Sequence, residues 1–211
     1  MIPTFYEQAL NNANDFMDDE DITQLINTYE ISLVSINIIV YIGGWAVYRL
    51  KDMVNCGDCF SVLFNDNLRE STIAHLIRVK NRGNLVVPSK DVISICLLCE
   101  KLFRENIYNR DSLPYQFNNP YKALSNVQCH NIMCDVIKWG LKSNIFPEIQ
   151  SHVKEHKSPR NHVSFLIKKV ALKYLDCRFH YAANSYNIDI KLKARKLSRH
   201  QSNTFTKVAG Q

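Results

Sequence analysis

The last quarter of the sequence contains few carboxylates. No glutamate follows His162, and Asp176 and Asp189 are the acidic residues beyond it. A two-metal nuclease holds its ions with several carboxylates that converge on one point. The shortage therefore argues against that class of enzyme.

Other common catalytic motifs are also missing. Residues 80–83 combine basic side chains with a glycine, but they lack the spacing of a phosphate-binding loop. No serine or cysteine is accompanied by an evident base and orienting group. We therefore expect that the chain is not an enzyme by itself and has no small-molecule substrate.

A secretory signal is not found in the sequence. The N-terminus is acidic and has no basic flank before an apolar run. The cysteines number seven, which is odd. We expect an intracellular, reducing compartment, where a Cys-x-x-Cys motif indicates metal or redox chemistry rather than a structural disulfide.

One stretch without charge, residues 31–48, is close to the minimum length of a membrane-spanning helix. Ser32, Ser35, Asn37 and the pair Gly43 and Gly44 reduce its hydrophobicity. We therefore predict a buried core helix and no membrane partner, and we expect the glycine pair to allow close approach of another backbone.

The sequence predicts an all-α fold, an irregular multi-helix domain with one short extended segment. Hydrophobic residues make up 46% of the 211 residues, which is enough for a packed core. We predict an acidic linker with a short helix at residues 1–30, a helical domain at 31–185 and a basic flexible tail at 186–211. The main predicted helices span residues 31–53, 72–79, 89–106 and 125–142, and another begins at Ser158–Pro159.

The predicted helix at 89–106 has local signals at its start and on its surface. Ser89 is the predicted N-cap, and Asp91 lies in the first turn, where a negative charge suits the helix dipole. Glu100 and Arg104, four residues apart, are a predicted ion pair. Residues 108–123 are predicted to form a loop, because two prolines interrupt them.

Cys56 and Cys59 form a Cys-x-x-Cys pair at a predicted turn. Two thiolates at this spacing grip one metal ion, and two imidazoles complete a closed, tetrahedral, structural zinc site. His152 and His156 are four residues apart and share one helical face, while His162 is the rival second ligand. The residues predict a structural Zn²⁺ bound by Cys56, Cys59 and two of these three histidines.

Cys96 and Cys99 have the same spacing in a different setting. Both lie on the apolar stripe of a predicted helix, with leucines between them. Buried cysteine is an ordinary core residue, and we predict that role for this pair. The same interpretation applies to Cys129, Cys134 and Cys177.

The C-terminal tail is basic. Its cationic side chains are predicted to contact DNA phosphates, and such contacts are independent of base sequence and sensitive to salt. A nuclear localisation signal and a solubilising end are equally compatible with this pattern. The candidate DNA-binding residues are Lys191, Lys193, Arg195, Lys196 and Arg199.

Four segments, in this order and spacing, resemble the C-terminal region of P-element-type (THAP-domain) DNA transposases. Residues 41–50 followed by Cys56 and Cys59 are similar to the family's Tyr-Ile-Ala-Gly-Tyr-Val-Val-x-(Lys/Arg)-Leu…Cys-x-x-Cys. Residues 80–89 resemble its Lys-x-x-Gly-Gly-Leu-x-x-Pro-Ser. The remaining segments are Phe146-Pro147 through His152 and Asn161-His162, and Tyr174 to His180 ahead of the basic end.

The resemblance implies a helical domain that follows a split ribonuclease-H-like catalytic core. It favours His152 and His162 as the histidine ligands, with His156 as the alternative. It also implies that the catalytic carboxylates and the DNA-reading finger of the family lie upstream of these residues. Gly43, Trp45 and Asn84 depart from the family pattern.

These observations lead to one interpretation and two alternatives. The chain is identified as a transposase-derived domain that binds structural zinc and contributes to DNA-bound assembly or DNA binding without its own catalytic core. The resemblance implies a nuclear location. Besides DNA, which the basic tail would contact, protein partners or self-association are the expected interactions. The alternatives are a protein–protein interaction module of a domesticated transposon protein and a non-functional transposon remnant.

Overall fold

The structure is a computed structural model that describes residues 31–83, 85–108, 120–149 and 162–182, together with Asn27 and Asn184. The chain divides into two compact units, Met1–Leu175 and Asp176–Gln211. The predicted domain boundaries after residues 30 and 185 stay predictions. The short helices predicted near residues 22–27 and around His152 fall almost entirely outside the described residues.

The described residues are helical, as predicted, and they contain no β-strand longer than a single bridge. The helices are α1 (Leu33–Leu50), α2 (Gly57–Ser61), α3 (His75–Lys80), α4 (Lys90–Tyr108), α5 (Pro120–Lys142) and α6 (residues 162–182). Short 3₁₀ turns lie at Asp66–Glu70, Thr72–Ala74 and Pro147–Ile149.

Helix α1 is the central helix of the first unit and packs against α3 and α4. Ser32 caps it, because the Ser32 hydroxyl accepts a hydrogen bond from Ser35 N–H at 3.2 Å. By length and composition α1 is the one described helix that could cross a membrane, but half of it is buried inside the fold. This burial is what a core helix requires, in agreement with the sequence-based expectation.

The glycine pair lets an extended segment approach α1. A Cβ atom on Gly44 would overlap the carbonyl oxygen of Val86, whereas one on Gly43 would make ordinary contacts with Cys96 and Pro88. The predicted close backbone approach is therefore confirmed at Gly44. The approaching segment, residues 85–89, forms the isolated antiparallel bridge between Phe64 and Pro88.

Helix α4 begins where the sequence predicts. The Ser89 hydroxyl accepts a hydrogen bond from Val92 N–H at 3.4 Å, and Asp91 lies in the first turn. Cys96, Leu97 and Cys99 are fully buried on the stripe that faces the core.

Helices α4 and α6 are joined by a buried polar contact. Glu100 is 2% exposed, and its carboxylate accepts hydrogen bonds from Arg104 Nε and from the Tyr174 hydroxyl, both at 2.8 Å. The pairing of Glu100 with Arg104 is as predicted. The contact with Tyr174 is new, and it gives the fully buried phenol the partner that a buried hydroxyl needs.

Helix α5 differs from expectation at its start. The sequence indicated a loop to residue 123, but α5 begins at Pro120, since proline in a first helical turn loses no hydrogen bond. Near its other end α5 lies close to α6: a Cβ atom on Gly140 would be 2.6 Å from Ile167 Cδ1. The turn predicted at residues 55–58 is likewise shorter, because α2 already begins at Gly57.

Candidate metal centre

The cysteine arm of the site is built at the start of α2. Cys56 occupies the N-cap position with extended backbone, φ −88° and ψ 121°, and its carbonyl accepts a hydrogen bond from Phe60 N–H at 3.0 Å. The single helical turn that follows places Cys59 on the same side. Cys59 is 3% exposed and Cys56 is half-buried, so the two thiols lie at the edge of the core.

The histidine arm comes from the first described residue of α6. Val163, Leu166 and Ile167 are buried and hold this end of the helix against the core. His162 is thereby directed at the cysteine arm, with its Nδ1 3.1 Å from Cys59 Sγ. Residues 103 positions apart in sequence meet at this point.

The geometry fits a metal ion. The Cys56 and Cys59 sulfurs and a His162 ring nitrogen all lie within 4.8 Å of one another. Ligand atoms around a tetrahedral zinc ion lie roughly 3.3–3.8 Å apart, which follows from zinc–nitrogen and zinc–sulfur bonds of about 2.0 and 2.3 Å. Two sulfurs and one imidazole are also the donor types that zinc prefers, and no carboxylate belongs to the group.

The fourth predicted ligand lies outside the described residues. His152, its alternative His156 and the segment 150–161 that carries both belong to the part of the chain that is not described. Three of the four predicted positions are therefore accounted for in space, and the choice between His152 and His156 stays a prediction.

The electrostatics of the site change with metal. Burial, with smaller contributions from the neighbouring Cys56 and Asp58, raises the pKa of the Cys59 thiol to about 12. Without a cation this thiol therefore stays protonated at neutral pH. A bound divalent ion would supply the positive charge that stabilises the thiolate.

Cys96 and Cys99 are core residues, as the sequence predicts, whereas Cys129, Cys134 and Cys177 are half-buried. Cys96 and Cys99 are both fully buried, and burial raises the pKa of each thiol. His130 Nε2 is 3.7 Å from Cys134 Sγ, an isolated contact between residues four apart. Within the described residues, Cys56, Cys59 and His162 are the one group with three clustered metal-ligating side chains.

The predicted DNA-binding residues 191–199 lie outside the described residues.

Sequence reasoning placed Asp91 only as a dipole partner of its helix and missed a second contact. In the structure the Asp91 carboxylate also accepts a hydrogen bond from Phe146 N–H at 2.9 Å. An acidic side chain at the start of a buried helix was a signal that Asp91 accepts a further hydrogen bond. The sequence could not identify the donor, because Phe146 lies 55 residues away.

Comparison with known proteins places these features in a family. The family model described as "DNA transposase THAP9, C-terminal domain" matches residues 25–184. The human protein DNA transposase THAP9 is 25% identical over 167 residues, which cover 76% of this chain and 18% of that relative. The chain thus spans less than a fifth of the relative's length. No solved structure matches.

Proposed function

The chain belongs to the family of THAP9-type DNA transposase C-terminal domains, and from this premise we propose that it is a zinc-stapled helical domain that contributes to DNA-bound assembly. In this proposal the domain has no catalytic core of its own. The match to a C-terminal domain, rather than to a catalytic region, supports that division of labour.

One observation carries the zinc assignment: Cys56, Cys59 and His162 bring their ligand atoms within 4.8 Å of one another. Two thiolates and two imidazoles form a closed, structural set, so the ion would hold the fold and would not activate water. Cys56, Cys59 and His162 would hold the metal with His152 as the fourth ligand, or with His156 in its place. The ion would tie the start of α2 to the start of α6.

The DNA role rests on charge and on the family. The formal net charge is +6, and a basic segment ends the chain. Cationic side chains that replace counterions around phosphates give affinity for any DNA sequence. We infer that Lys191, Lys193, Arg195, Lys196 and Arg199 make these contacts, in a nuclear setting like that expected of a DNA transposase.

Native mass spectrometry tests the metal. The purified chain should carry one zinc ion, and Co²⁺ in its place should show the intense absorption of cobalt–thiolate bonds. His162→Gln should reduce zinc affinity. Of the two single variants His152→Gln and His156→Gln, one should reduce zinc affinity and the other should leave it unchanged, which identifies the fourth ligand. A chain that is folded and binds no zinc at neutral pH contradicts the proposal.

Mobility-shift titrations test the DNA role. Replacing the five tail cations with glutamine should lower the slope of log affinity against log salt by about 4–5. The matched control replaces five exposed cations elsewhere, Lys51, Lys80, Arg82, Lys142 and Lys168. Both variants remove the same charge, so equal losses would show a general charge effect and contradict the tail assignment.

A protein-interaction role is the second candidate, and an exposed face of α1 favours it. Val34, Ile38 and Tyr48 are 50%, 46% and 43% exposed, and no charged residue lies between residues 31 and 48. Contiguous exposed apolar side chains are typical of surfaces that bind other proteins. Partners that stay bound after nuclease treatment, and are lost with Ile38→Glu, would support this role over DNA binding.

A further inference from the structure

Helix α6 carries His162 in its first described turn and continues without a break through residue 182. Over a few turns a helix shifts as one body, rising about 1.5 Å and turning about 100° for each residue. A contact that fixes α6 along its axis therefore also fixes His162, whose Nδ1 lies 3.1 Å from Cys59 Sγ. Tyr174, in the same helix, makes such a contact with α4.

The apolar stripe of α6 holds the helix against the core but fixes its axial position only weakly. Buried side chains recur along it at spacings of three and four residues: Val163, Leu166, Ile167, Val170, Ala171 and Leu175. A slip by one turn places one apolar side chain where another was, and apolar contacts have no direction that would oppose it. The same slip moves His162 by about 5.4 Å, more than the roughly 3.3–3.8 Å that separates ligand atoms around zinc.

The hydrogen bond between Tyr174 and Glu100 is specific to one register. The Tyr174 hydroxyl donates to Glu100 Oε2 at 2.8 Å, and the two residues are 0% and 2% exposed. Slipping α6 by three or four residues would set Ala171 or Val170 opposite Glu100, and neither side chain can donate a hydrogen bond. Slipping it four residues the other way would bury the charged Arg178 where Tyr174 now lies. Each alternative carries a desolvation cost that the observed register avoids.

Glu100 is itself held in place on α4. Its other oxygen, Oε1, accepts a hydrogen bond from Arg104 Nε at 2.8 Å, one turn further along the same helix. A buried carboxylate oriented in this way presents Oε2 towards α6. Buried polar groups often cost stability, and the fixing of register between helices is their best-documented benefit.

We propose that the hydrogen bond between Glu100 and Tyr174 is a register lock for α6. It holds the helix in the axial position in which His162 faces the cysteine arm of the candidate metal centre. Zinc affinity rises with the fraction of the metal-free chain that already has this arrangement. The inference rests on the proposed zinc site, and it makes Glu100 and Tyr174 positioning residues that do not contact the ion.

Zinc affinity of the full chain, measured by chelator competition, tests the proposal. Tyr174→Phe keeps the ring and removes the hydroxyl. It should weaken zinc binding about 10-fold or more, because a hydrogen bond to a charged group favours one register by at least that factor. The matched control is Val170→Ala, which removes buried apolar contacts from the same stripe of α6 and leaves the hydroxyl in place. It should lower stability without changing zinc affinity.

Variants of Glu100 separate positioning from stability. Glu100→Gln keeps an acceptor oxygen for the Tyr174 hydroxyl and should retain the affinity, whereas Glu100→Leu should lose it as Tyr174→Phe does. The double variant Glu100→Leu/Tyr174→Phe should lose no more affinity than either single variant, since both remove the same contact.

The outcomes are distinguishable. If the unaltered chain binds no zinc, the proposed function fails. If it binds zinc and Tyr174→Phe binds equally well, or if Val170→Ala loses as much affinity for the same loss of stability, the contact is merely structural and the register inference is overturned. Should Tyr174→Phe not fold, Glu100→Leu takes its place with the same expected loss.

Discussion

Two Cys-x-x-Cys pairs in this chain share a spacing and differ in their surroundings. Cys56, with extended backbone, precedes a one-turn helix that carries Cys59, at the edge of the core and beside an imidazole. Cys96 and Cys99 lie within the long helix α4, fully buried. A metal site needs sulfurs that converge and a partner ligand within reach, and only the first pair among the described residues meets both conditions.

The difference teaches that surroundings decide the chemistry of a cysteine pair. Burial raises the pKa of the Cys59 thiol, as it does for Cys96 and Cys99, so none of these three is a ready thiolate in the metal-free protein. At Cys59 the half-buried neighbour and His162 leave room for a cation that reverses the effect. At Cys96 and Cys99 the space is filled by packed side chains, and the thiols act as small apolar groups.

The largest expected effect comes from removing the first pair. Cys56→Ser/Cys59→Ser should abolish zinc binding and remove the metal's contribution to folding, which for structural zinc sites is about 10 kcal/mol or more. Metal content and the free energy of unfolding with and without zinc measure the two effects. A folded double variant that still carries one zinc ion would contradict the distinction between the pairs.

The matched control is Cys96→Ala/Cys99→Ala. This variant should keep one zinc ion per chain and lose stability by about 1–3 kcal/mol through the cavities it creates. Loss of zinc in the folded control would show that Cys96 and Cys99 bind the metal and would contradict its assignment to Cys56 and Cys59.

The next effect is a reversal of pH dependence. In the metal-free protein the Cys59 pKa is raised from 9.0 to about 12, so the stability that this protonated thiol contributes is retained below pH 9 and lost as pH rises towards 12. With zinc, two thiols must release protons, so apparent affinity should fall up to about 100-fold for each pH unit of acidification. With zinc, stability should therefore rise as pH increases towards 9, whereas with chelator the contribution of this thiol should be level below pH 9 and decline above it. Parallel curves below pH 9 would contradict the site.

The smallest expected effect comes from substituting the two glycines of α1, of which Gly44 faces Val86 and Gly43 faces Cys96. Gly44→Ala should cost about 1–3 kcal/mol, because the added methyl group overlaps the Val86 carbonyl and displaces the extended segment at residues 85–89. Gly43→Ala meets Cys96 Sγ at an ordinary 3.4 Å and should be neutral or stabilising by up to about 1 kcal/mol, since alanine favours the helix. Equal effects in chemical denaturation would show that the segment does not depend on Gly44.

Much of the fold was accessible from local patterns. The Ser89 cap, the apolar stripe with Cys96 and Cys99, and the uncharged run of α1 each follow from residues that are close in sequence. The start of α5 at Pro120 was missed because proline and asparagine suit both loops and helix starts. The buried contact of Tyr174 with Glu100 was missed because the two residues are 74 positions apart.

The features of the candidate site likewise separate into those that local sequence predicts and those that depend on contacts between distant residues. The sequence by itself determined the ligand types, the Cys-x-x-Cys spacing and the family pattern, since these depend on residue identity and on distances of a few residues. Only the tertiary structure decided that His162 meets Cys59, that Asp91 holds Phe146 and that Gly44 admits Val86. Such contacts depend on how helices far apart in sequence pack, and packing is a property of all the side chains together.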